Sequence, residues 1–259
     1  MHAVSIVAIG YLSLALVFTL AWLWQLRTHN AGMVDPIWSY SLGALAVLYA
    51  VLAEGDLTLR LMTALLGGGW GLRLGAHLWR RNIGEEDGRY TRLRAQWGPA
   101  AARNMFGFFQ LQVGFAMLLS LGFLVLVCQP HRPSTGICLL ALLVWLIAVA
   151  GEAWADRQLS RFKADPVHRG KVCRNGLWRY SRHPNYFFEC VHWLTYPLLA
   201  LSSPWVWVTL IPPLVMAWLL LKVSGIPLTE AQTARTRPDY AEYIRTTSAL
   251  IPWPPKNPR

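Results

Sequence analysis

The sequence is poor in charged residues. Asp, Glu, Lys and Arg make up 14% of its 259 residues, whereas hydrophobic residues make up 54%. A soluble domain of this length usually carries nearer a quarter charged residues, so the composition argues against a soluble fold. The apolar residues are gathered into blocks, and a helix needs roughly 20 such residues to cross a bilayer. Seven blocks of this kind lie at about 4–25, 36–53, 57–79, 106–128, 136–155, 186–202 and 204–223.

Cysteine is scarce as well. The four cysteines, Cys128, Cys138, Cys173 and Cys190, show no CxxC spacing, which argues against a zinc site or a disulfide framework. We predict no metal site and no pairing of Cys128 with Cys138. The first apolar block has no basic segment before it and no small-residue cleavage site, and it is too long for a signal peptide. We therefore expect this block to remain as a membrane span.

Acidic residues are few, with 13 Asp and Glu against 24 Lys and Arg, for a net charge of +11. Lys and Arg stay on the cytoplasmic side of a membrane, and here they concentrate in the links 80–105 and 157–184 and in the tail 224–259. We therefore predict an all-α polytopic membrane protein with seven transmembrane helices, its N-terminus outside and its C-terminus in the cytoplasm. This arrangement places all three basic segments in the cytoplasm. The same bias accounts for the positive charge, so we predict no nucleic-acid partner.

The most informative stretch is a basic, aromatic loop at 176–183 that runs through Pro184 into an apolar helix. Proline suits the first turn of a helix, where its missing N–H would have no partner. Polar residues recur around it at three- and four-residue spacing, which predicts one shared helix face. They are Arg182, Asn185, Glu189, His192 and Tyr196. Such a line in an apolar segment is costly unless a polar group meets it.

Two other blocks carry polar residues at their cytoplasmic ends. Arg73, His77 and Arg81 share one face of the third block, and Glu152 and Asp156 lie four residues apart at the end of the fifth. Buried acids and bases need partners. We therefore expect the three polar faces to meet in one cavity, capped by the loops 80–105 and 157–184 and the tail 224–259. The first of these loops also fits a plain surface loop, and the tail also fits a membrane-surface helix.

Two features of the second and third blocks bear on helix packing. Asp35 directly precedes Pro36, a normal helix-start position. This residue either caps the helix or places an acid at the mouth of a cavity between helices. Gly67, Gly68 and Gly69 fall within a helical pattern, which favours close contact with a neighbouring helix.

The run from Gly176 to Glu189, followed by two apolar blocks and a tail ending in Ile251-Pro252-Trp253, resembles the steroid 5-alpha-reductase superfamily, and within it a bacterial branch. The similarity covers the C-terminal half well and the second and third blocks loosely. It implies a seven-helix enzyme of the bacterial inner membrane that passes a hydride from NADPH to a C=C bond conjugated to a ketone. It also implies a steroid or other isoprenoid lipid as substrate, contact with membrane lipids, and a monomer.

The resemblance implies catalytic residues. Asn185 and Glu189 match an Asn-x-x-x-Glu pair that contacts the nicotinamide carboxamide. Asp35 is similar in placement to an acid that polarises the substrate ketone together with a Tyr, and Trp70 stands at the position of that Tyr. The predicted catalytic residues are therefore Asp35, Trp70 and Glu189. An indole N–H donates a hydrogen bond but does not release a proton as a phenol does, which leaves the proton donor open between Trp70, Tyr40 and another group.

Further cofactor contacts follow from the resemblance and from the basic loops. Asp156 matches the family's acid on the fifth span, Glu152 stands where relatives have Asn, and Arg81 and Asn82 fall near cofactor-binding positions. Arginines of the loops suit bidentate contacts with the phosphates of NADPH. The predicted cofactor-binding residues are Asn185, Glu189, Asp156, Glu152, Arg73, His77, Arg81, Asn82, Arg174, Arg179, Tyr180, Arg182 and His183.

Two alternative functions fit parts of the sequence. Isoprenylcysteine carboxyl methyltransferases share an Arg-His-Pro-x-Tyr element and a similar tail, and they use S-adenosylmethionine. They typically have Gly after the proline and a small residue where this chain has an acid, so the Asn185 and Glu189 pair favours the reductase. A non-enzymatic lipid-binding membrane protein is the second alternative. Polar faces buried in the membrane argue against it.

Overall fold

The computed structural model describes residues 1–82 and 86–256, and these residues form helices and turns without a β-strand. The all-α prediction is confirmed for them. Residues 83–85 of the predicted cytoplasmic loop and 257–259 of the predicted tail lie outside the described residues. The chain divides into two units. Unit 1 comprises Met1–Pro133 and Leu199–Pro212, and unit 2 comprises Ser134–Leu198 and Pro213–Arg259.

Unit 1 is built mainly from helices of the N-terminal half. They are α1 (Ala3–Thr28), α2 (Val34–Leu52), α3 (Leu57–Asn82), α4 (Gly88–Trp97), α5 (Ala101–Leu119) and α6 (Leu121–Cys128). Helix α2 packs along α3, and α1 packs against α5 and α2. The short 3-10 helix Val206–Leu210 returns to pack on α6.

Glycine permits the close approach of α2 and α3. A Cβ atom on Gly71 would lie 2.7 Å from Cα of Gly43 and 2.7 Å from the carbonyl oxygen of Ser39. A Cβ atom on Gly67 would lie 2.6 Å from Cβ of Ala46. Small residues let helix backbones approach in this way. The close contact predicted for the glycines of the third block is therefore confirmed at Gly67.

The later helices are α7 (Thr135–Ala164), α8 (Pro184–Trp193), α9 (Thr195–Leu199), α10 (Ile211–Trp218), α11 (Ile226–Thr236) and α12 (Tyr240–Thr246). The last residue of α9 and the first two of α10 belong to unit 1. In unit 2, α7 packs along α8, and Gly151 makes room for the ring of Phe188, which a Cβ atom there would overlap. A π-helical turn, Leu219–Val223, follows α10.

Five helical segments within the described ranges are long and apolar enough to cross a membrane. They are Ala3–Thr28, Ala31–Leu52, Gly88–Cys128, Thr135–Ala164 and Val206–Thr236. These match the first, second, fourth, fifth and seventh predicted blocks. The third block forms α3, whose arginines make it less apolar, and the sixth forms two short helices that break at Leu194. The membrane assignment is supported with five spans, while seven spans and the orientation of the termini stay predictions.

Candidate functional site

Asn185 presents a hydrogen-bond acceptor from the first turn of α8. Its Nδ2 donates to Oδ1 of Asp156 on α7 at 3.2 Å, and Asp156 is 8% exposed. Its Oδ1 is buried and has no hydrogen-bond partner among residues 1–82 and 86–256. The amide nitrogen must face the carboxylate, since two oxygens would repel each other. Asn185 is therefore anchored through Nδ2, and its Oδ1 still lacks a donor among the described residues. A buried carbonyl oxygen without a hydrogen bond costs free energy.

Two more acids lie beside this pair in unit 2. Glu189, one turn after Asn185, is 5% exposed, and its Oε1 accepts a hydrogen bond from Nε1 of Trp193 at 2.8 Å. Glu152, one turn before Asp156 on α7, is buried too. The packing of α7 along α8 brings together the helices that carry these polar faces. The resulting cluster combines carboxylates with an amide and suits a ligand rich in N–H donors.

Arg182 does not share the helix face of Asn185 and Glu189 that its spacing predicts. Helix α8 begins at Pro184, so Arg182 lies before the helix and outside its shared face. Its Nε donates to Oε1 of Glu230 at 2.7 Å, and its Nη1 donates to the carbonyl oxygens of Ile244 and Thr247. The backbone N–H of Arg182 donates to the carbonyl of Ser248 at 2.8 Å. This buried arginine ties the loop before α8 to the tail.

His183 contributes to the same attachment. Its Nε2 lies 3.1 Å from Oε1 of Glu230, and its ring stacks on Tyr186 with the centroids 5.1 Å apart. Tyr243 donates its hydroxyl to the carbonyl of Trp178, and the backbone N–H of Trp253 donates to the carbonyl of Tyr180. Arg182 and His183 therefore dock the tail in this structure, and their contact with a cofactor stays a prediction.

Arg174, Arg179 and Tyr180 lie near the surface of unit 2. Arg174 donates to Oε2 of Glu242 at 3.1 Å, and this hydrogen bond lowers the pKa of the Glu242 carboxyl below its usual value. Arg179 is exposed and sits over the ring of Tyr180, with its guanidinium carbon 5.9 Å from the ring centroid. Of these residues, Arg179 leaves its guanidinium open to a phosphate.

In unit 1, Asp35 binds residues of α4. Its Oδ2 accepts a hydrogen bond from Nη2 of Arg89 at 2.7 Å, and its Oδ1 accepts one from the hydroxyl of Tyr90 at 2.7 Å. Nη2 of Arg81 lies 3.9 Å from Oδ2. The carboxylate therefore joins the start of α2 to α4. Asp35 lies in the first turn of α2, which begins at Val34, and within the described residues no side-chain cap is formed at this helix start. Its carboxylate binds side chains of α4 instead, and its place at the mouth of a cavity stays a prediction.

Asp87 completes that ion-pair group from the N-cap of α4. Its Oδ1 accepts a hydrogen bond from the backbone N–H of Arg89, and its Oδ2 lies 3.1 Å from Nη2 of the same residue. Partial burial disfavours the charged form of Asp87. The hydrogen bonds from Arg89 outweigh that cost and leave the pKa of the carboxyl below its usual value. Asp87 is therefore ionised at neutral pH.

The other predicted residues of unit 1 lie along α3. Trp70 is fully buried and packs edge-on against Trp38, with the ring centroids 6.4 Å apart. Arg73 and His77 follow on the same helix and are half-buried. Asn82 is 6% exposed, and its Nδ2 donates to the carbonyl of Gly32 at 2.7 Å. Asn82 therefore holds the loop before α2 and presents little surface to a ligand.

Sequence reasoning missed Tyr90 and Trp38. Tyr90 stands 55 positions from Asp35, so no local pattern connects the two residues. Trp38 follows Asp35 by one helical turn, and its buried Nε1 has no hydrogen-bond partner among the described residues. Three-residue spacing from a predicted acid was the signal that could have found Trp38.

Comparisons with known proteins place the chain among related sequences. The model of the family described as "Protein of unknown function (DUF1295)" matches residues 21–247. The chain is similar to "Uncharacterized protein C594.04c" of Schizosaccharomyces pombe, with 27% identity over 276 aligned positions that cover 94% of this chain and 79% of that protein. No solved structure matches the chain.

Proposed function

Because the chain belongs to the DUF1295 family, which is steroid 5-alpha-reductase-like, we propose that it is a membrane-embedded, NADPH-dependent reductase. The proposed reaction is transfer of a hydride from NADPH to the β-carbon of a C=C bond conjugated to a ketone, in a steroid or another isoprenoid lipid. The α-carbon takes up a proton from solvent, and NADP⁺ is the second product. An integral membrane protein with five apolar spans suits a substrate that reaches the enzyme through the bilayer. The cofactor, the substrate and the reaction are the proposed part of this assignment.

The proposal rests on the buried Oδ1 of Asn185, which has no hydrogen-bond partner in the part of the chain that the structure describes. A primary carboxamide offers two N–H donors and a carbonyl acceptor, and the acceptor of the anchored asparagine complements one of the donors. Oδ1 of Asn185 would accept an N–H of the nicotinamide carboxamide, and Glu189 would accept another. Asp156 holds Asn185 in place for this contact through the bond at 3.2 Å. The residues therefore fit the nicotinamide end of NADPH.

When bound, NADPH supplies the hydride, and the chain supplies position and charge. We propose that exposed arginines of the loops 80–105 and 157–184 bind its phosphates, with the tail 224–259 as a cap. Arg73, His77 and Glu152 are proposed to contact it as well. Arg174, Arg182, His183 and Asn82 would support the site through the loops that they hold. The exposed arginines in the two loops are Arg80, Arg81, Arg92, Arg103, Arg157, Arg161, Arg169 and Arg179.

On the substrate side, we propose that Asp35 acts with Tyr90, and Trp70 acts through Trp38. Both oxygens of the Asp35 carboxylate accept hydrogen bonds from α4, so Asp35 fixes the Tyr90 phenol in place. Trp70 packs against Trp38, whose buried indole N–H lacks an acceptor among the described residues. That N–H would donate to the ketone oxygen of the lipid, which places a donor where negative charge develops during reduction.

Transfer of label from the cofactor tests the proposed reaction. Membranes that contain the protein would receive a lipid extract, a 4-en-3-one steroid, and NADPH with deuterium at both C4 positions of the nicotinamide. Parallel membranes would receive S-adenosylmethionine with a labelled methyl group. We expect reduced products that carry one deuterium, together with oxidation of NADPH. Membranes without the protein serve as the control. Transfer of a labelled methyl group from S-adenosylmethionine, without deuterium transfer, would show the methyltransferase instead.

A further inference from the structure

Glu189 lies beside an aromatic cluster formed by His192, Trp193 and Tyr196, to which the proposed function assigns no role. Trp193, one turn further along α8, donates its indole N–H to Oε1 of Glu189 at 2.8 Å. Trp193 is 0% exposed and Glu189 is 5% exposed, so water does not compete for this bond. An indole N–H is a donor only, which makes a carboxylate its natural partner.

Two further rings hold the indole in place. His192 packs edge-on against Trp193 with the ring centroids 5.3 Å apart, and Tyr196 packs against it at 5.6 Å. Nε2 of His192 and the hydroxyl of Tyr196 are hydrogen-bonded to each other at 3.1 Å. All three side chains are 0% exposed. Close packing on two mutually bonded rings leaves the indole little freedom to turn.

A glutamate carboxylate needs such a partner because its last torsion is soft. Rotation about the bond to the carboxylate is broad and roughly two-fold, so the rotamer alone does not orient the oxygens. We propose that Trp193 is a positioning residue: its N–H orients the Glu189 carboxylate toward the amide N–H of the nicotinamide carboxamide. His192 and Tyr196 support it by holding the indole. The inference rests on the proposed function, which assigns Glu189 to that carboxamide.

The test compares two cofactors that differ only at the carboxamide. NADPH carries the amide, and its 3-acetylpyridine analogue carries a methyl ketone without N–H. Wild-type protein is expected to prefer NADPH. Trp193→Phe removes the N–H and keeps an aromatic ring, and it is expected to lose about tenfold in affinity for NADPH and little for the analogue. Equilibrium titration of the purified protein in detergent measures both affinities.

Trp178→Phe is the matched control. The indole N–H of Trp178 donates to the carbonyl of Ala155 at 3.0 Å, so this change also removes a buried indole donor. It is expected to leave the preference for NADPH unchanged. In a Glu189→Gln background, Trp193→Phe is expected to cause no further loss of preference, because the two residues act as one unit.

The outcomes separate the inference from the proposed function. A wild-type preference that survives Trp193→Phe overturns the positioning role, and so does an equal loss of affinity for both cofactors. Wild-type protein that binds neither cofactor, or both equally, overturns the proposed contact of Glu189 itself. If Trp193→Phe does not fold, Tyr196→Phe decides, since it removes only the hydroxyl bonded to His192. A smaller loss of preference is then expected, and an unchanged preference overturns the inference.

Discussion

Replacing Asn185 with leucine is expected to weaken NADPH binding by about 100-fold. Leucine keeps the size and branching of the side chain but neither donates nor accepts a hydrogen bond. The change removes the contact with the carboxamide, so an amide N–H of the bound nicotinamide is buried without its acceptor. Lost and unpaired hydrogen bonds of this kind sum to about 3 kcal/mol, which corresponds to about 100-fold in Kd. Equilibrium titration with NADPH in detergent measures the effect.

Gln110→Leu is the matched control for that change. Gln110 is a half-buried amide on α5, and its Nε2 donates to Oγ1 of Thr19 at 3.3 Å. This variant also exchanges a hydrogen-bonded helical amide for leucine, and it is expected to bind NADPH as the wild type does. If Asn185→Leu binds NADPH with wild-type affinity, Asn185 does not contact the cofactor.

Replacing Arg182 with methionine is expected to lower the free energy of unfolding by about 3–5 kcal/mol, the usual cost of breaking a buried ion pair from one side. The Arg182 side chain is 10% exposed and that of Glu230 is 17% exposed, so solvent screens their pair poorly. The change also leaves the carbonyls of Ile244 and Thr247 without their donor. Denaturant unfolding measures the loss, and limited proteolysis of the tail reports its release.

Arg174→Met provides the comparison for Arg182. The side chains of Arg174 and Glu242 are 38% and 41% exposed, and a surface pair of this kind contributes no more than about 1 kcal/mol. The double variant Arg182→Met with Glu230→Met is expected to be more stable than Arg182→Met alone, since it also removes the Glu230 carboxylate that has lost its guanidinium partner. A loss in Arg182→Met no larger than that in Arg174→Met would contradict the role of Arg182 in docking the tail.

Helical periodicity predicted the polar face of α8 well, because Asn185 and Glu189 lie one turn apart within a single helix. The same rule was wrong for Arg182, which precedes the helix start at Pro184, and it did not anticipate the break after Trp193. A spacing rule holds only while the backbone stays helical. The tail contacts of the Arg182 side chain span 48 to 65 positions, and no local pattern encodes them.

Composition predicted the helical membrane fold, since long apolar runs have few other uses. Five helical segments of the described ranges are long and apolar enough to cross a membrane, and the two other predicted spans stay predictions. Helix α3 carries several arginines, and the sixth block forms helices of ten and five residues. The partners of Asp35 were also beyond the sequence, because Arg89 and Tyr90 come from a helix after the third block. Long-range packing brings Arg89 and Tyr90 to Asp35, and a local sequence pattern carries little information about such packing.

Equilibrium binding of NADPH to the purified wild-type protein tests the proposed function most directly. The titration needs no knowledge of the lipid substrate, and S-adenosylmethionine serves as the competing ligand in a parallel titration. We predict saturable binding of NADPH, weakened by Asn185→Leu, and no binding of S-adenosylmethionine. If the protein binds S-adenosylmethionine and does not bind NADPH, the result would contradict the reductase and support the methyltransferase. Binding of neither ligand would support a lipid-binding protein without catalytic function.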